Sequence, residues 1–203
     1  LQHAFEKKPE LELVTFQATR CCQGEKIDNG MFQLEGKVYN QHEMLDHAAV
    51  NTKWLRSTLN EGIEVGLENN NYYPTPAYEI VVDGDFITEV INQNRLYLLL
   101  DIAHAMVSSH NMKMEYLEYV KSLPLDRLVQ LHICGPELPP NGIGIDAHNS
   151  PNLAMEQRVV DTILEYPQIK FLTIEFYKDK DILIQCIESL QNRINNLSLK
   201  KTR

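Results

Sequence analysis

The chain has 203 residues, 43% of them hydrophobic, and 28 acidic against 19 basic residues give a net charge of −9. This length allows one domain or two small ones, and the composition excludes disordered, collagen-like and coiled-coil proteins. The acidic balance disfavours a nucleic-acid surface, and no apolar run approaches the roughly 18–20 residues that span a bilayer. Four cysteines without a C-x-x-C pair favour free thiols in a reducing cytosol. We therefore expect a cytoplasmic protein that binds neither nucleic acid nor membrane.

Apolar runs alternate with helical segments along the chain. The predicted strands are 11–18, 63–68, 96–101, 128–133 and 170–176. The predicted helices are 40–60, 84–94, 102–109, 114–122, 153–165 and 180–196, the first opened by Asn40 with Glu43 as its capping partner. Segments 21–39, 69–77 and 135–151 are predicted to be loops, because Gly, Pro and Asn are frequent there. Alternation of this kind predicts parallel strands joined by right-handed crossovers.

Side chains that bind metals follow the ends of the predicted strands or lie in the loop beyond them. Four carboxylates in one pocket repel one another strongly unless protons or cations intervene. Carboxylate oxygen and imidazole nitrogen together suit iron, zinc or manganese, so the sequence predicts two or three divalent ions. The seven predicted ligands are Glu68, Asp101, His104, His132, Asp146, His148 and Glu175.

Two folds fit strands that alternate with helices: a doubly wound open sheet and a β/α barrel. In an open sheet the strand ends spread along a line, whereas in a barrel all of them meet at one rim. The shared ligand cluster therefore favours a TIM-type (β/α) barrel, with residues 1–203 as a single partial domain. A complete barrel has eight strands and the chain shows five, so we expect two or three strands to be missing, most simply before residue 11.

A structural explanation competes with the metal site. In that interpretation Glu68 and Glu175 are surface residues, His104 caps a helix and Asp146 forms an Asx-turn. It leaves Asp101 as a carboxylate without a partner at the end of a fully apolar run. A buried, unpaired carboxylate costs several kcal/mol or becomes protonated.

Five short motifs resemble the xylose-isomerase-like barrel superfamily. They are Gly-Leu-Glu68-Asn-Asn, Leu-Leu-Leu-Asp101-Ile-Ala-His104-Ala, Leu-His132-Ile-Cys-Gly, Ile-Asp146-Ala-His148 and Ile-Glu175. Within that superfamily the order and spacing of these motifs are most similar to the multinuclear non-heme iron-dependent oxidases, a family long labelled as a domain of unknown function. The resemblance covers residues 11 to 176.

The resemblance implies a metal-dependent oxidoreductase that uses iron and oxygen to modify cysteine residues of ribosomally made peptides, often with a partner protein. It implies two groups of ligands. Those at the barrel mouth, which are also the catalytic residues, are Glu68, Asp101, His132 and Glu175. Those of a neighbouring metal are His104, Asp146 and His148.

Several further residues are expected near this site. Asn69 and Asn70 follow Glu68 directly and could orient the ligands, and together with Tyr72 they are predicted to contact the substrate. Gln17 stands in an early strand, where the superfamily's third metal position takes histidines. The sequence leaves other functions open: a sugar isomerase or epimerase of the same superfamily, a metal-dependent phosphodiesterase, or a non-catalytic remnant. The acidic charge argues against the phosphodiesterase, and the substrate is either a peptide or a small molecule.

Overall fold

The computed structural model describes Lys8 and residues 10–201, which form an α/β fold. The strands in this part of the chain are β1 Leu13–Gln17, β2 Ile27–Asp28, β3 Met31–Phe32, β4 Glu64–Glu68, β5 Tyr97–Asp101, β6 Leu128–Ile133, β7 Gly135–Glu137, β8 Ile145–Asn149 and β9 Phe171–Ile174. The helices are α1 Gln41–Thr58, α2 Gly84–Asn94, α3 Ile102–Met112, α4 Tyr116–Lys121, α5 Leu153–Glu165 and α6 Lys180–Lys201, with a 3-10 turn at Leu125–Arg127. Among these residues no helix combines the length and the apolar character that crossing a bilayer requires.

The five predicted strands form one parallel sheet in the order β1-β4-β5-β6-β9. Each new strand joins the sheet beside the previous one, without the reversal of direction that marks a doubly wound fold. The sheet therefore has the topology of a partial β/α barrel, as predicted. Its five carboxyl ends all lie at the same edge, which we call the rim.

The hydrophobic core lies between the sheet and its helices. Val65, Leu67, Leu98 and Leu100 are buried residues of β4 and β5 that pack against helical side chains such as Phe86. Because side chains alternate along a strand, the residues between them face the other side of the sheet, which is the barrel interior. One face of the sheet thus stabilises the fold, and the other carries the polar groups of the rim.

Helix α1 begins where the sequence predicted. The Asn40 side chain accepts a hydrogen bond from the Glu43 amide, and the Glu43 carboxylate accepts one from the Asn40 amide. This capping box satisfies two amides that the first helical turn leaves without partners. The last helix ends at Lys201 rather than near residue 196.

Two of the segments predicted to be loops contain antiparallel strands instead. Segment 21–39 includes the hairpin of β2 and β3, whose turn residues Asn29 and Gly30 have φ angles of 49° and 77°. Asn-Gly is the usual sequence of such turns, because both positions need positive φ, and this signal should have predicted the hairpin. In segment 135–151, β7 pairs with β8. That pairing gives a defined backbone to the part of the chain that carries Asp146 and His148.

Candidate metal centre

All seven predicted ligands come together at the rim. Glu68 and Asp101 are the last residues of β4 and β5, and His132 lies opposite Asp101 in the register of β5 and β6. Glu175 follows β9, and its amide bonds the Ile133 carbonyl of β6. The remaining three approach from the first turn of α3 and from β8: His104, Asp146 and His148.

Six of these side chains form a closed ring in which acids and imidazoles alternate. We call it the acid–histidine ring; its order is Glu68, His104, Asp146, His148, Glu175, His132 and back to Glu68. The six nitrogen-to-oxygen distances, taken in that order, are 3.5, 3.4, 3.4, 3.3, 3.0 and 3.5 Å. Every member therefore faces two groups of the opposite type.

Asp101 lies beside this ring and is fully buried. Its Oδ1 accepts a hydrogen bond from the His104 amide at 2.8 Å. Its Oδ2 has no hydrogen-bond partner among the described residues and lies 3.9 Å from both His104 Nε2 and His132 Nδ1. Burial raises the pKa of this carboxyl group. A buried oxygen without a partner is costly, so its presence needs an explanation.

The carboxylates favour protonated histidines. Burial lowers the pKa of His104, but Asp101, Asp146 and Glu68 outweigh this effect and raise the pKa to about 10. Burial opposes protonation of His132 too, yet Glu175 and Glu68 raise its pKa to about 9. In return, His132 lowers the pKa of Glu175. Protons on the imidazoles thus offset part of the negative charge in this pocket.

His132 Nδ1 has no hydrogen-bond partner among the described residues, although Glu175 Oε1 is only 3.0 Å away. The two groups are close but not aligned for a hydrogen bond, so we interpret the contact as electrostatic. Together with Asp101 Oδ2, this nitrogen is a buried polar atom directed at the centre of the cluster.

His148 has an unusual backbone conformation. Its φ of 45° lies in the left-handed region, which costs a side chain other than glycine about 1 kcal/mol. The strained backbone places the imidazole between Asp146 and Glu175, and the Tyr177 ring lies 5.8 Å from it, centroid to centroid. Backbone strain of this kind is concentrated at functional sites.

The residues predicted to contact the substrate have different surroundings. Asn69 and Asn70 are buried, and their amides bond main-chain groups: Asn69 bonds Asp101, and Asn70 bonds the carbonyls of Ala18 and Thr19. These contacts suit positioning of the site rather than direct contact with a substrate. Tyr72 is half-buried, and its amide donates a hydrogen bond to Ser108.

Three further polar side chains contact the ring. Gln17 Nε2 lies 3.4 Å from His104 Nδ1, Gln130 Nε2 lies 3.0 Å from His132 Nε2, and Cys134 donates a hydrogen bond to Asp146. Gln130 was missed by the sequence analysis. Its position two residues before His132 was the available signal, because residues two apart share a face of a strand.

The geometry allows three groups of possible ligands. In each, one ligand atom per residue lies within 4.8 Å of the others: Glu68 with Asp101 and His104, Asp101 with His132 and Glu175, and Cys134 with Asp146 and His148. The rim therefore offers three neighbouring groups of donors, each of which could hold an ion.

The sequence profile of the family described as RiPP precursor modification enzyme MbnB/TglH/ChrH matches residues 37–194, a span that contains all seven predicted ligands. The chain belongs to this family. The resemblance identified from the five motifs is thereby confirmed for the family.

Curated relatives of this MbnB/TglH/ChrH member are UPF0276 proteins. One from Caulobacter vibrioides is 34% identical over 85 residues, which are 42% of this chain and 30% of the relative. One from Shewanella loihica is 25% identical over 140 residues, or 68% of this chain and 48% of the relative. The chain thus matches less than half the length of these relatives.

Solved structures share the fold. A D-tagatose 3-epimerase-like protein superposes with a TM-score of 0.57 at 16% identity, covering 97% of this chain and 68% of that one. A xylose isomerase domain containing protein from Salmonella typhimurium gives 0.55 at 12% identity, with 98% and 71% covered. The IOLI protein, solved with a bound zinc atom, gives 0.53 at 16% identity, with 84% and 60% covered. These superpositions show a xylose-isomerase-like fold, and at such low sequence identities they show nothing beyond the fold.

Proposed function

We propose that this chain carries the metal centre of an enzyme that uses iron and dioxygen to modify a cysteine residue of a peptide. One observation carries the proposal: three carboxylates and three imidazoles alternate around a closed ring, beside the buried carboxylate of Asp101. Membership of a family of RiPP precursor modification enzymes supports the peptide as substrate.

The residues fit divalent metals. Asp101 Oδ2 and His132 Nδ1 are buried and without hydrogen-bond partners among the described residues, as expected of atoms reserved for an ion. A mixed set of oxygen and nitrogen donors suits iron, manganese or zinc better than magnesium or calcium, which prefer oxygen alone. Cations would replace the protons that now offset the charge of the carboxylates.

Two groups of residues would hold the ions. The first is Glu68, Asp101, His132 and Glu175, and the second is His104, Asp146 and His148. When bound, iron would supply Lewis acidity and one-electron chemistry with dioxygen, which accepts the electrons that the cysteine residue loses.

The chain's own residues position these ligands. His104 Nδ1 lies 2.8 Å from the Asn69 carbonyl oxygen, so a proton on Nδ1 leaves Nε2 free to face Asp101 and Asp146. A hydrogen bond of this type fixes the tautomer of a metal-binding histidine.

Substrate would approach from one side of the ring. The Glu175 and His148 side chains are 27% and 29% exposed, whereas those of Asp146 and Asp101 are 8% and 0% exposed. Exposed Tyr177 lies next to this opening. A peptide cysteine would therefore enter beside Glu175 and His148.

Metal analysis of anaerobically purified protein tests the proposal. We expect iron in the wild-type protein, a visible absorption that changes on exposure to air, and a mass change in a cysteine-bearing peptide encoded beside the gene. Asp101→Asn keeps the size of the side chain but removes the buried charge, so iron content should fall. Asp46→Asn, which changes an exposed carboxylate on α1, is the control and should leave it unchanged.

Two results would contradict the proposal. Undiminished iron in Asp101→Asn would show that the ion lies elsewhere. A colourless protein that retains only zinc or manganese and does not react with air would favour the isomerase or epimerase alternative.

A further inference from the structure

We propose that the thiolate of Cys134 is itself a metal ligand and that it completes a Cys134–Asp146–His148 site at the rim. This inference rests on the proposed metal centre and adds to it a sulfur ligand beyond the seven oxygen and nitrogen ligands. Cys134 would bind the same ion as Asp146 and His148, whereas the other groups of possible ligands contain no sulfur.

The Cys134 side chain lies next to two of the predicted metal ligands, Asp146 and His148. It comes two residues after His132 and directly after Ile133, the last residue of β6, so strand alternation places it on the same face as His132. Its Sγ is 3.1 Å from Asp146 Oδ1, while Asp146 Oδ2 faces His104 and His148. The sulfur, a carboxylate oxygen and an imidazole nitrogen all lie within 4.8 Å of one another.

The surroundings of this thiol do not match those of a cysteine that merely fills space. A structural cysteine behaves as a small apolar residue and packs among other apolar groups. Cys134 is fully buried, yet it donates a hydrogen bond to the Asp146 carboxylate instead of packing only among apolar groups. A cation bound beside this carboxylate would stabilise the thiolate form of Cys134.

Two further features lie beside this group of donors. Asp101, whose buried Oδ2 has no hydrogen-bond partner among the described residues, belongs to the two neighbouring groups of possible ligands. His148 adopts its strained left-handed backbone and thereby faces Asp146 through Nδ1. Together with His104, which faces the same carboxylate, these residues give sulfur, oxygen and nitrogen donors, a set that suits zinc or iron.

The binding step is balanced without redox chemistry. The divalent ion bonds Sγ as the thiol proton leaves to solvent, and no electron is transferred. A sulfur ligand favours softer ions, so this position should prefer zinc, cadmium or iron to manganese.

Cobalt(II) spectroscopy on the 203-residue chain tests this inference directly. A thiolate bound to cobalt gives an intense near-ultraviolet charge-transfer band, which carboxylate and imidazole ligands do not produce. We expect the wild-type protein to show the band, and Cys134→Ser and Cys134→Ala to lose it while zinc affinity falls by roughly tenfold or more. Cys186→Ser is the matched control, because Cys186 is a buried thiol on α6 outside the cluster, and it should keep the band.

The serine and alanine variants separate a ligand from a hydrogen-bond donor. If Cys134 only orients Asp146, serine would preserve the metal affinity that alanine loses, and the wild-type protein would bind cobalt without a thiolate band. That combination would overturn the inference and leave the proposed metal centre intact. A wild-type protein that binds no cobalt, zinc or iron would refute both. If a variant fails to fold, absence of the band from the cobalt-bound wild-type protein still overturns the inference.

Discussion

Replacing Asn69 by alanine removes the side chain that joins the ends of β4 and β5. The Asn69 side chain donates to the Asp101 carbonyl at 3.1 Å and accepts from the Asp101 amide at 2.8 Å. The Asn69 main-chain amide donates a hydrogen bond to the carbonyl of Leu99, which lies two residues before Asp101 on β5. The side chain thus continues the hydrogen-bond ladder one step beyond the end of β4, and it holds Asp101 at the rim.

The expected cost follows from these two bonds. Asn69 is fully buried, so alanine leaves one amide and one carbonyl of Asp101 without partners. At roughly 1.5 kcal/mol for each orphaned group, the free energy of unfolding should fall by about 3 kcal/mol. With a urea m-value of about 2 kcal/mol/M, the midpoint of unfolding should fall by about 1.5 M.

Urea unfolding of metal-free protein, followed by circular dichroism, measures this change. Asn94→Ala is the control, because buried Asn94 makes a single side-chain hydrogen bond, to Val90 within α2, and should lose about 1 kcal/mol. Metal affinity should also fall about 10- to 100-fold in Asn69→Ala, because the side chain that holds Asp101 at the rim is lost. A loss of stability no larger than in Asn94→Ala would refute the reasoning.

Two further predictions concern charge. Metal binding should release protons, because raised pKa values of about 10 for His104 and about 9 for His132 keep both imidazoles protonated at pH 7. The apparent affinity for metal should therefore rise with pH below those pKa values, about tenfold per pH unit for each proton released. Calorimetry in buffers of different ionisation enthalpy counts the released protons. A heat of binding that does not depend on the buffer would contradict this prediction. Arg193→Met should lower the free energy of unfolding by about 2 kcal/mol, because it leaves the buried Glu156 carboxylate without the guanidinium 2.9 Å away. Urea unfolding measures that loss, and an unchanged midpoint would show that the ion pair contributes little.

Local sequence determined much of the architecture. The apolar run that ends in Asp101 predicted a buried parallel strand with a charged end, and it became β5. Asn40 and Glu43 predicted the start of α1, because a capping box needs only neighbouring residues. All seven groups that the structure brings together were predicted from their places at strand ends or in the turns and loops beyond them, because the carboxyl ends of consecutive parallel strands share one edge.

The contacts within the site were decided by tertiary structure. Sequence periodicity shows which face of a strand a residue occupies, but it does not show the path of a long connection. The pairing of β7 with β8, the left-handed backbone of His148 and the approach of Cys134 to Asp146 all depend on how segment 135–151 folds over the rim. The order of acids and imidazoles around the ring depends on the same packing, since it joins side chains from separate strands and from α3. The sequence by itself therefore determined that the seven predicted ligands reach the rim, and only the folded chain decided which of them are neighbours.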